Sequence, residues 1–283
     1  MQPDMSSTIK LSAPATHEFW EIPVLFEDEH LLALDKPVGL PAGPEHTDGE
    51  RPNLLQLLHS AIADAKPWAS ERGLGYLMAA NRLEAEASGV LLLAKSKAVL
   101  AALLNWSGSG VAGRKFLVLS IGSPAEESFR IDAKIARHPE RAGLMRVDSQ
   151  RGKRSRTDCR VVERFSGHTL LECEAFTEQL HQVRVHLRRA RLPVAGDALY
   201  GGRPLLLSSL KPNFRLKPNH TEHPLLGRAA VHAVEGTLPH PVSGQTLSMS
   251  APWPKDLRVA VKYLRIYAAG GPAPSLEWES VVS

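Results

Sequence analysis

The sequence predicts a chain of mixed α/β class, with strands and helices sharing one core. Three stretches carry that reading. Residues 90–94 form an unbroken apolar run closed by Lys95 and Ser96, which is the pattern of a strand buried on both faces. In residues 179–191, Leu180, Val183, Leu187 and Ala190 recur at helical spacing and make one apolar stripe. Residues 157–165 and 168–175 read as two strands joined at Ser166-Gly167, a hairpin.

The other elements follow in order. Residues 1–20 are polar and mixed and are expected to be a loose arm. Short strands at 24–26 and 30–34 flank the turn Glu27-Asp28-Glu29, and Pro37 and Pro41 then break regular structure. Residues 51–65 predict a helix with Pro52 in its first turn and Leu54, Leu55, Leu58 and Ile62 on one face. Ser96 can cap a helix reaching about residue 106, with Val99, Leu100, Leu103 and Leu104 facing inward. Strands are expected at 114–121, carrying Lys115 and Phe116, and at 129–135. The basic, apolar-poor residues 137–156 read as an exposed ribbon or loop. After Leu192-Pro193 come a short strand and a glycine-rich turn through 202, then a long surface loop at 203–227. Closing strands at 229–234 and 246–250 flank a turn, a helix spans 254–267, and residues 268–283 read as a tail. At 283 residues the chain is long enough for one large domain or two small ones.

The 283 residues are 43% hydrophobic and 23% charged, ordinary for a soluble globular protein with ample core. No apolar run approaches a membrane span, and the first twenty residues lack the basic start and apolar stretch of a secretory signal. Cys159 and Cys173 have no paired-cysteine spacing, which argues against a zinc site or a disulfide framework and fits a reducing cytoplasm. The charge of +4 is unevenly placed. Residues 130–164 carry eleven Lys/Arg against five Asp/Glu, and residues 184–228 nine against two, which leaves −9 for the rest. Two basic segments on an otherwise acidic chain point to a polyanion, most economically a nucleic acid backbone.

Chemistry concentrates where Arg82 and Glu84 sit in a loop running into the buried strand at 90–94. A carboxylate mounted on a rigid strand end can be held still for reaction; taken alone, the pair is also compatible with a solvated turn. On the helix at 179–191, His181, Arg184, Arg188 and Arg191 recur one position from the apolar stripe, as a basic ridge. A metal site at His181 and His186 is not expected, because five helical residues turn the two rings to different sides. A glycosidase pairing of Glu84 with Glu86 has no other support in the sequence.

Three stretches, IPVLFEDEHLLALDKPVGL, NRLEAEASGVLLLAK and TEQLHQVRVHLRRARLPVAGDALYGG, resemble in order and spacing the motifs of RNA pseudouridine synthases. The resembling branch modifies uridines in large-subunit ribosomal RNA and transfer RNA, and HAVEGTLPHPVSGQTLSMSAPWPKDL is similar to its C-terminal end. The resemblance spans about residues 21–267 and implies that they form one catalytic domain. It implies a mixed, mostly antiparallel central sheet flanked by helices, and an isomerisation of uridine within RNA that uses no metal and no organic cofactor. RNA is the implied partner, with no membrane, and the chain is expected to act as a monomer.

By the same resemblance, Glu84 stands at the place of the catalytic aspartate, Arg82 matches an arginine two residues before it, and Phe116 replaces a base-stacking tyrosine. Arg184 matches the arginine that pairs with the carboxylate, and Lys115, His181, Gln182, Arg188 and Arg191 are the RNA-binding candidates. Departures cluster at this site: Asn81 and Ala87 replace a histidine and a threonine, and Glu178-Gln179-Leu180 replaces Gly-Arg-Thr. Glu84 keeps the charge of aspartate but adds a methylene, where an error of about 1 Å can cost on the order of a hundredfold in rate. Two outcomes are therefore open: an active synthase using Glu84, or a catalytically silent RNA-binding protein on the same scaffold.

Overall fold

The computed structural model describes residues 8–44, 52–106 and 113–270. In chain order the elements are β1 (Thr8–Ala13), β2 (Glu18–Glu27), β3 (Leu31–Lys36), α1 (Leu54–Ala63), α2 (Pro67–Glu71), β4 (Met78–Ala79), β5 (Ser88–Ala94), α3 (Lys97–Trp106) and β6 (Gly113–Ile121). They continue with β7 (Ser128–Asp132), β8 (Ile135–Arg137), β9 (Met145–Val147), β10 (Arg156–Phe165), β11 (His168–Ala175), α4 (Gln182–Arg189), β12 (Val231–Pro239), β13 (Thr246–Ser250) and α5 (Lys255–Tyr267).

One sheet runs β1-β2-β3-β5-β12-β6-β11-β10-β7, with β4 on β5 and β13 on β12. Its pairings are antiparallel except that of β5 with β12, where Ser88 faces His232 and Gly89 faces Ala233. Every residue of β5 is buried, as its apolar run requires. Leu91 and Leu93 pack in one core with Leu54 and Leu58 of α1, while Val90 and Leu92 pack with Val99 and Leu103 of α3. The alternation of side chains along a strand thus divides β5 between two layers. Each fully buried leucine contributes about 2 kcal/mol of burial free energy.

Local chemistry sets the helix starts. The Asn53 carboxamide oxygen accepts the Gln56 N–H at 2.9 Å, so Asn53 caps α1, which begins at Leu54, two residues after Pro52. Ser96 caps α3 as the sequence indicates, its hydroxyl accepting the Val99 N–H at 3.2 Å. The basic stretch after β7 forms a two-stranded ribbon, β8 with β9, packed on α4 through Ile135, Leu144, Met145, Val185 and Tyr200.

Two expectations are corrected. The supposed loose arm contains β1, which pairs along its length with β2 because Ile9, Leu11 and Ala13 alternate into the core. The helix expected over 179–191 is the shorter α4, and its supposed basic ridge is not one surface. His181 and Arg184 are buried at one end, while Arg188, Arg189 and Arg191 are exposed at the other. Of the expected tail, residues 268–270 are described and Ala269 bridges to Phe165; residues 271–283 lie outside the described residues.

Candidate active site

Glu84 stands in the loop between β4 and β5, which one buried side chain staples to the sheet. The Asn81 carboxamide donates to the Val90 carbonyl at 3.1 Å and accepts the Leu92 N–H at 2.7 Å. Within the loop the Ala87 N–H donates to the Glu84 carbonyl, and from outside the Gly39 N–H donates to the Ala85 carbonyl at 2.7 Å. Arg228, forked onto Asp256, donates to the Glu86 carbonyl at 2.9 Å. Gly89 completes the support. Its φ is +106°, and a Cβ there would lie 2.2 Å from the Ala233 carbonyl oxygen, so only glycine lets β5 approach β12.

Arg184 of α4, 3% exposed, collects three carboxylates. Its Nε and Nη2 fork onto Asp197 at 2.7 Å each, Nη1 donates to Glu84 Oε2 at 3.2 Å, and Nη2 also donates to Glu86 Oε2 at 3.0 Å. Glu84 Oε1 accepts the His181 backbone N–H at 3.1 Å. Burial opposes ionisation of Glu84, but the His181 and Arg184 charges and hydrogen bonds outweigh it and hold the carboxyl below its usual value. The His181 charge counts only when the ring is protonated, so at neutral pH Arg184 and the amide carry that effect. Glu86 moves the other way: burial, with Asp197 and Glu84 nearby, raises it against the pull of Arg184.

His181 sits at the start of α4 with φ +55°, a left-handed conformation that costs roughly 1–2 kcal/mol in a non-glycine residue. Its ring Nδ1 is 2.7 Å from the Tyr200 hydroxyl, which also accepts the Met145 N–H at 2.9 Å. Burial pushes Tyr200 up to about 12 and draws His181 down, so the phenol keeps its proton and the imidazole is neutral at pH 7. The hydroxyl then donates to Nδ1, which assigns the ring proton to Nε2, 4.0 Å from Glu84 Oε1.

A cleft opens beside these groups, lined by Arg82, Glu84, Arg114, Phe116, Glu178, His181 and Arg184 among others. Phe116 is only 6% exposed, and the Arg114 guanidinium lies 5.2 Å from its ring centroid, fixed by Glu178 at 2.9 Å. The Arg114 guanidinium covers the ring, so a base can stack on this face of Phe116 only if Arg114 swings off it.

Comparison with known proteins bears on this arrangement. Residues 30–189 match the family model described as RNA pseudouridylate synthase. The chain belongs to the RNA pseudouridylate synthase family. A Xanthomonas campestris relative named ribosomal large subunit pseudouridine synthase D is 34% identical over 86% of this chain and 69% of its own length. A Nitrosomonas europaea relative of the same name is 34% identical over 88% of this chain and 68% of its own. Two solved structures share the fold. Human RNA pseudouridylate synthase domain containing 1 has a TM-score of 0.62 at 18% identity, covering 92% of this chain and 93% of its own. Human RNA pseudouridylate synthase domain containing 4 has 0.60 at 21%, covering 86% and 92%.

Within this RNA pseudouridylate synthase scaffold the sequence-derived candidates divide. Glu84, Arg82, Phe116, Arg184, His181 and Gln182 all line the cleft. Gln182 spends its carboxamide internally, donating to the Arg156 carbonyl and the Thr157 hydroxyl and accepting from Thr177 and the Gln179 N–H, so it clamps the loop before α4. Lys115 does not reach the cleft; one residue from Phe116, it faces the other side of β6 and pairs with Glu235 at 3.3 Å. Arg188 and Arg191 lie outside it too. His186 is buried against the Thr157 hydroxyl and the Ala133 carbonyl, while His181 meets Tyr200. Among the described residues no group of three metal-ligating side chains occurs. Sequence reading missed the working positions of Arg114, Glu178 and Arg228, which are ordinary surface-type residues until the fold joins them. Asp197, also not among the site candidates, follows Gly196, whose φ of +78° and close approach to the Arg228 carbonyl oxygen require a glycine there.

Proposed function

We propose that this protein isomerises uridine to pseudouridine in structured RNA, ribosomal or transfer, with Glu84 in the catalytic role. The observation that carries the reading is the Glu84 carboxylate held ionised between Arg184 at 3.2 Å and the His181 amide at 3.1 Å, at the wall of a cleft floored by Phe116. The reaction breaks the N1–C1′ bond of uridine, turns the uracil over, forms the C5–C1′ bond and releases the C5 proton, while N1 takes up a proton. It adds and removes no atoms and changes no oxidation level, so its chemistry calls for no metal or organic cofactor. Glu84 acts either by attacking the anomeric carbon or by taking a neighbouring ribose proton. Phe116 offers the flipped base an apolar face once Arg114 moves. The names borne by the relatives at 34% identity favour large-subunit ribosomal RNA. A reducing cytoplasm as the setting is part of this reading, supported by the free thiols of Cys159 and Cys173 packed 3.4 Å apart. So is a monomeric state, for which light scattering is the check.

A second reading, RNA binding without isomerisation, is favoured by the Arg114–Glu178 pair that covers Phe116. Nucleoside analysis of large-subunit ribosomal RNA transcribed in vitro and incubated with the protein separates the two. New pseudouridine with wild type and none with Glu84→Gln supports the first reading; RNA bound but unmodified supports the second.

A further inference from the structure

His181 is fixed more tightly than packing alone requires. It enters α4 in a left-handed conformation that glycine or asparagine adopts at less cost, and such strain persists where the surroundings over-determine a residue. Its backbone N–H donates to Glu84 Oε1 at 3.1 Å, and its ring Nδ1 accepts the Tyr200 hydroxyl at 2.7 Å. With Nδ1 so occupied, Nε2 carries the ring proton. Nε2 lies 4.0 Å from Glu84 Oε1, too far for a hydrogen bond, and makes none among the described residues. Other donors of the cleft wall are already committed. Arg184 spends its guanidinium on Asp197, Glu84 and Glu86, Gln182 bonds the Arg156 carbonyl and Thr157, and Arg114 pairs with Glu178. Arg82 is exposed, so water solvates its charge. The His181 Nε2–H stays open beside the carboxylate.

Breaking the N1–C1′ bond leaves its electron pair on the uracil, and the negative charge spreads over N1 and the carbonyl oxygens. O2 sits on the carbon next to N1. With Glu84 against the sugar, that oxygen comes within reach of a donor only a few ångströms from the same carboxylate. A fixed donor aimed where charge develops is what such a step needs, because a uracil anion and Glu84 otherwise face each other unscreened. We infer that the His181 Nε2–H donates a hydrogen bond to O2 of the departing uracil, which makes His181 a second catalytic residue beside Glu84. The proton stays on Nε2, so the step adds no proton transfer and the electron pair remains on the base. A neutral ring serves here without neutralising Glu84 as an imidazolium would. The charged groups around the ring are Glu84, Arg184, Asp197 and Arg82, and burial outweighs the two carboxylates in keeping it neutral. The inference rests on the proposed isomerisation, whose leaving group it stabilises.

The test is single-turnover reaction of large-subunit ribosomal RNA transcribed in vitro with either uridine or 5-fluorouridine, read as the C5–C1′-linked nucleoside formed, for wild type, His181→Asn and His181→Gln. Asparagine tolerates the left-handed backbone and offers Tyr200 an acceptor, but falls short of the Nε2 position. Glutamine reaches that position with an amide N–H and gives up the Tyr200 contact. On uridine RNA the Asn variant is expected to be slower on the order of a hundredfold, and the Gln variant to stay within about tenfold of wild type. Fluorine withdraws electrons and makes the base a better leaving group, so on 5-fluorouridine RNA the loss in the Asn variant should shrink to less than about tenfold. The contact strengthens only as charge develops, so RNA affinity should change less than about threefold in either variant. A structural role for His181 predicts the reverse order, with Gln slower than Asn, and that result overturns the inference. An equal loss on the two RNAs, or an Asn variant as fast as wild type, overturns it too. Each of these results with an active wild type removes the inference alone; wild type that forms no product on either RNA removes the proposed activity and the inference with it.

Discussion

Arg184 binds Glu84 and Asp197 with different edges of one guanidinium, Nη1 on Glu84 at 3.2 Å and the Nε/Nη2 fork on Asp197 at 2.7 Å. The division explains how a mobile type of side chain becomes a fixed one. Asp197, fully buried, orients the plane, and the remaining edge is aimed at the loop carboxylate. Removing one partner of a buried pair leaves an uncompensated charge. Asp197→Asn is therefore expected to cost about 3 kcal/mol in urea unfolding. Arg184→Lys should keep the charge yet lose the fork, lowering any isomerase rate on the order of a hundredfold through misplacement of Glu84. A stable Asp197→Asn protein with an unchanged unfolding midpoint contradicts this account.

Tyr200→Phe tests the assignment of the His181 ring. The substitution keeps the packing but strands the Met145 N–H and His181 Nδ1, with a cost of about 1–3 kcal/mol. Nitrogen chemical shifts of the His181 ring should report a neutral imidazole protonated at Nε2 in wild type and a mixture of tautomers in the variant. Identical spectra would refute the assignment.

Much of this fold was readable in advance, for reasons that are local. The five-residue apolar run of β5, the Ser96 cap and the Ser166-Gly167 turn each declare themselves within a few residues. What the sequence concealed depended on long-range partners. β1 looks like a polar arm because its apolar residues are only every second one, and they become a pattern once β2 lies alongside. Glu178 reads as the loss of a glycine and becomes a latch only when β6 delivers Arg114 to it. The helical stripe of α4 placed Arg184 beside Arg188 and Arg191 in one ridge, whereas the αL turn at His181 and the depth of Asp197 draw Arg184 inward alone.

Opening the latch should be measurable. Glu178→Gly removes the carboxylate that fixes Arg114 at 2.9 Å, freeing a cation at the cleft mouth and uncovering Phe116. RNA affinity at low salt is expected to rise about threefold to tenfold, with a salt slope steeper by roughly one phosphate contact. Weaker binding would show that the pair holds the cleft open rather than closed.

Acid should destabilise the protein through a buried ring. His232 accepts from Ser88 at Nδ1, lies near the Ala251 carbonyl at Nε2, and is drawn by burial from 6.5 to about 4. Because the unfolded chain takes up a proton at higher pH than the folded one, stability is complete above about 6.5 and is lost as pH falls toward 4. The loss from this group amounts to about 3 kcal/mol. His232→Asn should flatten the dependence of unfolding free energy on pH across that window; an unchanged slope would place the titration elsewhere.

The central claim is that an ionised Glu84 performs the isomerisation, and its most direct measurement is release of tritium from C5-labelled uridine in large-subunit ribosomal RNA under single-turnover conditions. Wild type is expected to release label, at a rate that declines only as pH falls into the carboxylate range below 4.5, and Glu84→Gln to release none. Absence of release by wild type, or equal release by Glu84→Gln, contradicts the claim.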